Sequence, residues 1–265
     1  MDPTAQFKEQ QKAAWSNFAL FENFTGSVAP RLVSFAGIKP GSNVLDVGCG
    51  TGVVGVTAAR LGARVTGVDL TPELVAHAKE NSALMGVEAE WLQGDAEALP
   101  LPDATFDFVV SQFGHMFAPR PDVAVREMLR VLKRGGAIAF ATWPPEMFTG
   151  RMFALTGKYS PPPPPGVSPP GQWGDPNLVR ERLGAVVKDV TFARDVMLFP
   201  MLSVQHYRLF METNFGPARR LLEGLDKSDP AKAAALRREL EQLAAEYFDH
   251  NTLRQDYLLS RAVKV

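Results

Sequence analysis

Apolar residues along this chain follow two periods, and the switch between them divides it. Compact apolar runs read as strands over 44–48, 64–69, 87–93, 106–112 and 136–142. Stretches with helical spacing, 53–62, 72–85 and 121–132, lie among them. Strands alternating with helices make βαβ units and a parallel sheet. Local punctuation agrees: Lys39-Pro40-Gly41-Ser42 is a turn, and Gly62, Gly86 and Gly135 follow helices where a left-handed stop is needed. Thr71 is placed to cap the helix over 72–85, with Pro72 at its first position and Glu73 in its first turn. The flanks read differently. Residues 5–24 carry Phe7, Trp15, Phe18, Leu20, Phe21 and Phe24 among polar residues, as one or two amphipathic helices do, and a short helix runs from Ala29-Pro30 to Phe35. Five prolines at 161–165, then Pro169-Pro170, predict a stiff extended loop. A helix over 176–183 and an apolar stretch over 186–199 follow. Residues 201–252 are strongly helical, with Leu236, Leu240, Leu243 and Tyr247 on one face, and 256–265 reads as a last strand.

The richest chemistry lies in Val44-Leu45-Asp46-Val47-Gly48-Cys49-Gly50-Thr51-Gly52, with Asp69 closing the next strand. A strand, a glycine turn, a helix start and a second strand ending in an acid form a nucleoside-binding unit. Glycines let the backbone bend tightly and let a ligand come close, and the acid can accept hydrogen bonds from both ribose hydroxyls. Two registers are open. Gly50-Thr51-Gly52-Val53-Val54-Gly55, with Asp69 nineteen positions after Gly50, is a formal dinucleotide fingerprint and leaves an NAD-dependent oxidoreductase as one reading. Counted from Asp46 the run is D-x-G-x-G-x-G. A pyrophosphate at this turn would sit beside the Asp46 charge, which is unfavourable. S-adenosyl-L-methionine carries a sulfonium and an ammonium and no phosphate, so Asp46 favours it over NAD.

Asp46 to Gly52, with Asp69, resembles motif I and the acidic loop of class I S-adenosylmethionine-dependent methyltransferases. Three further segments are similar, in order. Gln93-Gly94-Asp95-Ala96-Glu97-Ala98-Leu99-Pro100 resembles the family's GDAxxLP loop, and 101–111 its F-x-x-x-x-F-D-x-V strand. Residues 126–136 resemble E-x-x-R-V-L-K-P-G-G, with Arg134 where proline is usual. The resemblance spans about residues 40–142 and is nearest to the small-molecule branch that includes quinone-biosynthesis methyltransferases. It implies an α/β, Rossmann-like open sheet of about seven strands, mostly parallel with an antiparallel last strand and helices on both faces. Residues 1–38 would then be N-terminal helices over the cofactor site, 39–199 with 253–265 the core, and 200–252 a helical cap insertion.

The same resemblance implies the donor contacts: Asp69 on the ribose, Leu70 on the adenine face, and Asp95 on the adenine amino group with Ala96 beside it. Gly48, Cys49, Gly50 and Gly52 form the turn, and Ser111, Gln112 and Phe113 lie against the donor's methionine. Cys49 reads as a small residue packed under the turn rather than a nucleophile. His115 follows the fourth strand where the methyl group should emerge. It is either a general base or a packed polar residue. Tyr159, His206 and Tyr207 lie in regions expected to face the acceptor, each with a purely structural role as the rival reading. Trp15 and Phe18 are expected to fold over the donor or to sit in the core.

Composition narrows the partners. The 265 residues carry a net charge of −1, without the basic excess of a nucleic-acid binder. Arg219-Arg220 and Arg237-Arg238 have acids nearby and read as solvated helix faces. One cysteine forbids an intrachain disulfide, which fits a reducing compartment. Met1 to Lys8 lack the apolar core of a signal peptide, no run is long enough to span a bilayer, and four scattered histidines suggest no metal site. The expectation is a cytoplasmic monomer or homodimer that methylates a small, apolar or aromatic metabolite and releases S-adenosyl-L-homocysteine. A fold that binds the donor without catalysis is the third reading.

Overall fold

The computed structural model describes residues 3–265. Helices α1 (Pro3–Trp15), α2 (Glu22–Thr25) and α3 (Ala29–Ala36) precede the first strand, β1 (Asn43–Val47). The alternating region then supplies α4 (Val53–Arg60), β2 (Arg64–Asp69), α5 (Pro72–Met85), β3 (Glu90–Gln93), β4 (Phe106–Gln112), α6 (Pro121–Val131) and β5 (Leu132–Thr142). Beyond it come α7 (Phe148–Tyr159), α8 (Pro176–Leu183), β6 (Val187–Pro200), α9 (Val204–Asn214), α10 (Gly216–Ser228), α11 (Pro230–Ala245), β7 (Phe248–Asp249) and β8 (Thr252–Lys264).

The sheet order is β3-β2-β1-β4-β5-β8-β6, with the short β7 beside β8. β1 to β5 pair in parallel, and β8 runs antiparallel between β5 and β6. This is the expected Rossmann-like sheet with one reversed strand. Central strands are apolar on both faces because helices cover both: Val44, Leu45 and Val47 of β1 and 137–142 of β5 are all buried. The chain leaves β1 in one direction to build β2 and β3, then returns to its other side with β4. A crevice therefore opens at the carboxyl ends of β1 and β4, the place where open α/β sheets bind ligands.

Five local expectations need correction. β3 begins at Glu90, not at residue 87, and β5 begins at Leu132, not at 136. The chain passes straight from α6 into β5, and Gly135, with φ +77°, bends the strand instead of ending a helix. Thr71 precedes α5, but its hydroxyl makes no capping bond; its N–H is held by Asp69 instead. The last strand is longer than expected, starting at Thr252. Between β6 and β8, helices α9, α10 and α11 cover the crevice side, with Leu236 and Leu243 buried against the rest. Of the expected N-terminal unit, residues 1 and 2 lie outside the described residues.

Candidate active site

The turn after β1 is built around close backbone approaches. Gly48 and Cys49 donate their N–H groups to the Val68 carbonyl at 2.8 and 3.1 Å, tying the turn to β2. Gly48 has φ +65°, and a Cβ there would lie 2.8 Å from the Gly114 Cα, so the two glycines pack backbone to backbone. Gly50, with φ +54°, faces open space. Gly52 is different. It does not line the cavity, and a Cβ on it would strike the Trp91 ring at 2.8 Å. Trp91 is buried and donates to Ser82 Oγ at 2.8 Å, forming a floor on which the turn rests. Cys49 borders the cavity and is buried; desolvation and the charges of Asp69 and Asp46 push its thiol up, so it stays protonated.

Three aspartates meet at this crevice, with Glu22 beside them. Asp69, at the end of β2, accepts Gly50 N–H at 2.8 Å on one oxygen and Thr71 N–H at 2.9 Å on the other. Those bonds hold the carboxylate plane fixed, while burial raises its pKa. Asp46 is 1 % exposed, accepts Gly55 N–H at 3.1 Å on Oδ2, and leaves Oδ1 buried without a partner. Desolvation, with a smaller push from Asp69, raises it to about 7 against the lowering effect of the Gly55 bond. Asp95 follows β3. Its Oδ1 accepts Glu97 N–H at 2.9 Å and its Oδ2 meets Lys8 Nζ of α1 at 2.6 Å. Lys8 also meets Glu97 at 2.6 Å, so α1 is pinned across the crevice. Leu70 and Ala96 complete this end of the wall.

At the end of β4 the expected residues separate. Gln112 and Phe113 line the cavity, and Ser111 does not. Ser111 is fully buried, donates to the Val47 carbonyl at 2.6 Å and accepts His115 N–H at 3.0 Å, so it braces β1 against the loop after β4. Gln112 donates Nε2 to the Thr25 carbonyl at 2.8 Å and leaves Oε1 buried without a partner. Phe113 holds φ +59° and stacks on Trp143 at 3.8 Å. Such a backbone costs a non-glycine residue roughly 1–3 kcal/mol and marks a constrained position.

His115 borders the cavity, as expected, but its burial does not suit a general base. Its ring is 1 % exposed, lies 4.6 Å from the Phe140 ring and 4.5 Å from Trp173, and neither nitrogen has a hydrogen-bond partner. Desolvation, with the nearby charge of Arg182, lowers it to about 3, so it stays neutral across the physiological range. Tyr159 and His206 do not reach the cavity: Tyr159 donates to Glu239 at 2.5 Å, and the exposed His206 accepts the Leu202 N–H at 3.2 Å. Their helices do face the crevice, but these positions point along other faces. Tyr207, one residue on, is buried on the cavity wall with its hydroxyl 3.7 Å from Met152 Sδ, and Trp15 lines the cavity from α1.

The cavity measures about 190 Å³. One end is the acidic glycine turn. The other is walled by Trp143, Met152, Met197, Phe199, Met211 and Phe215, with Thr149 and Gln255 as neighbouring polar groups. Sequence reasoning missed Lys8, Trp91, Thr149 and Gln255. Lys8 and Gln255 sit far along the chain from every motif, and only the tertiary fold brings them in.

Comparison with known proteins decides the family. Residues 45–140 match the family model described as a methyltransferase domain. An uncharacterized Mycobacterium tuberculosis protein, Rv1405c, is 35% identical over 257 residues, 96% of this chain and 93% of that protein. The chain carries a methyltransferase domain and is an S-adenosylmethionine-dependent methyltransferase. The methyltransferase also shares its fold with the YcgJ protein of Bacillus subtilis, at TM-score 0.61, 19% identity, and coverage of 90% of this chain and 98% of that one. A malonyl-[acyl-carrier protein] O-methyltransferase of Serratia marcescens is 36% identical over 115 residues, 43% of this chain and 44% of its own. The cofactor of this methyltransferase is therefore S-adenosyl-L-methionine, and the dinucleotide reading falls. Its crevice fits that donor: the unpartnered Oδ1 of Asp46 calls for a hydrogen-bonding cation, and Gly50 leaves room where a side chain would intrude. Among the described residues no helix is long and apolar enough to cross a membrane, and no group of three or more His, Cys, Asp or Glu residues is placed to hold a metal ion.

Proposed function

We propose that this methyltransferase acts on a small, neutral, apolar or aromatic acceptor bearing a hydroxyl. The observation that carries this reading is the change of character along one cavity, from three aspartates at the glycine turn to an aromatic and thioether wall. Asp69 would hold the ribose, Asp95 the adenine amino group with Leu70 and Ala96 against the base, and Asp46 the cationic tail beside Gly48 and Gly50. S-adenosyl-L-methionine supplies a methyl group already activated on a sulfonium. What remains for the chain is to hold the acceptor in line and to exclude water, and orientation of that kind is worth up to ~7–11 kcal/mol. Gln112 Oε1 is an acceptor without a donor, which suits an O–H on the substrate. Lys8 is the one lysine or arginine on the described wall, and it is taken by Asp95 and Glu97, so nothing there compensates an anionic acceptor. With His115 too weak a base to take the proton, a neutral hydroxyl must release it to water as the methyl group transfers and the sulfonium charge is consumed, which favours phenols before alkanols.

A screen of phenols, alkanols, carboxylates and oligonucleotides, followed by release of S-adenosyl-L-homocysteine, tests the reading. Turnover should appear with neutral phenols. Turnover confined to carboxylates or nucleic acid would overturn it.

A further inference from the structure

A second hollow of about 900 Å³ adjoins the cavity on the far side of α1. Its walls come from α1, α7, the proline-rich loop, α9, α10 and α11, and most of them are apolar: Phe7, Ala154, Pro163, Val167, Leu221 and Leu240 belong to it alone. The two hollows share Trp15, Phe117, Met152, Phe153, Met211 and Phe215, besides Gln11 and Tyr207. The shared rings form a collar, with Trp15 4.6 Å from Phe117 and 5.6 Å from Phe215. Continuity argues that the two work together. The donor must occupy the glycine-turn end of the inner cavity, and the shared rings leave the other end open to the outer hollow, so an acceptor longer than the inner wall has room to extend there. Three charged residues lie on its wall: Arg208 pairs with Glu241 at 2.6 Å and with Glu212, while Arg220 donates to the Gln10 carbonyl and meets no carboxylate among the described residues. The remaining wall is mostly apolar, so the tail it suits is apolar.

We infer that the acceptor is an elongated neutral amphiphile, its hydroxyl-bearing head in the inner cavity and an alkyl or similarly apolar tail passing the aromatic collar into the outer groove. The inference rests on the proposed function for the head, and on the groove alone for the tail. It explains why an apolar hollow is continuous with the crevice instead of closed off from it.

Calorimetric titration with 4-ethylphenol, 4-butylphenol and 4-octylphenol, each with and without saturating S-adenosyl-L-homocysteine, tests it. Burial of each added methylene should tighten binding roughly fourfold until the groove is filled. Ala154 is exposed on α7 and lines the groove but not the inner cavity, so Ala154→Trp should fold and remove the gain from butyl to octyl. Leu240→Glu should do the same by placing a charge in the tail's path. Both variants should bind S-adenosyl-L-homocysteine as the parent does. Equal affinity across the series, or a chain-length gain that survives both variants, would overturn the tail site. Failure of the parent to bind S-adenosyl-L-homocysteine would strike the proposed function instead, and the series without it would still decide the groove.

Discussion

Asp46 carries the most consequential single charge in the site. It is buried, half satisfied and held near pKa 7, so at neutral pH it is only partly ionised. A bound cation favours the carboxylate, hence donor binding should expel a proton, and affinity for S-adenosyl-L-methionine should rise with pH through about 7 and flatten above it. Titration calorimetry from pH 5.5 to 8.5 checks this, and an affinity independent of pH would refute the contact. Asp46→Asn should bind more weakly and lose the slope. Asp69→Ala should lower donor affinity at least tenfold with the fold intact by circular dichroism, since its two backbone bonds replace no core packing. The stability signs of Asp46 and His115 oppose each other. Between pH 3.8 and 7 the folded chain binds more protons at Asp46 than the unfolded one, so stability falls as pH rises there. Between pH 6.5 and 3 the unfolded chain binds more at His115, so the stability of keeping that ring neutral is complete above 6.5 and lost toward 3. His115→Ala should cost about 2–4 kcal/mol in urea unfolding, as buried large-to-small changes do, and leave the pH profile of turnover unshifted near neutrality. A profile that loses an acidic limb would restore it as a base. At this scale the glycine turn and its acids were legible in the sequence because they are local. His115 was not: one histidine reads the same whether its ring meets solvent or lies between Phe140 and Trp173.

Among elements, the strands of the alternating region and α8 were readable from periodicity, and the exceptions share a cause. β5 begins early because β4 pairs with it through a register shift between Phe106 and Phe108, a tertiary fact with no local signal. The side-chain cap expected of Thr71 is absent because its hydroxyl, like its N–H, is turned to Asp69, so the acid that ends β2 also fixes the start of the helix. α1 is held down by Lys8 on Asp95 and Glu97, by Gln11 on the Phe117 carbonyl and by the ring contacts of Trp15, and the Glu97 carboxylate is fully buried and also meets Arg120 at 2.7 Å. Buried acids of this kind bind their partners strongly, since losing one leaves an uncompensated charge. Lys8→Met should therefore raise amide hydrogen exchange across α1 while β1 and β4 stay protected. Unchanged exchange in α1 would show that Gln11 and the ring contacts of Trp15 hold the helix alone.

For the molecule as a whole, sheet order places the glycine turn, Asp69 and the Asp95 loop on one crevice, while the motif over 126–136 lies in α6 and at the start of β5 and does not line the cavity. That much follows from strand–helix alternation. The outer groove does not, because it is assembled from α1, α7 and α9 to α11, which share no motif. Ligand linkage should report the whole fold: S-adenosyl-L-homocysteine at a hundred times its Kd should stabilise the protein by about 2.7 kcal/mol, and NAD at the same concentration should leave the melting temperature unchanged. A rise with NAD and none with the sulfur ligand would contradict the donor assignment. Finally, α1 is a party wall. Its Lys8 closes the donor side and its Trp15 borders both hollows, so whatever steadies the helix from one room steadies it for the other. By reciprocity, the factor by which a tail in the groove tightens the donor must equal the factor by which the donor tightens the tail. Such an enzyme would keep its methyl group longest when the partner waiting next door is the right one.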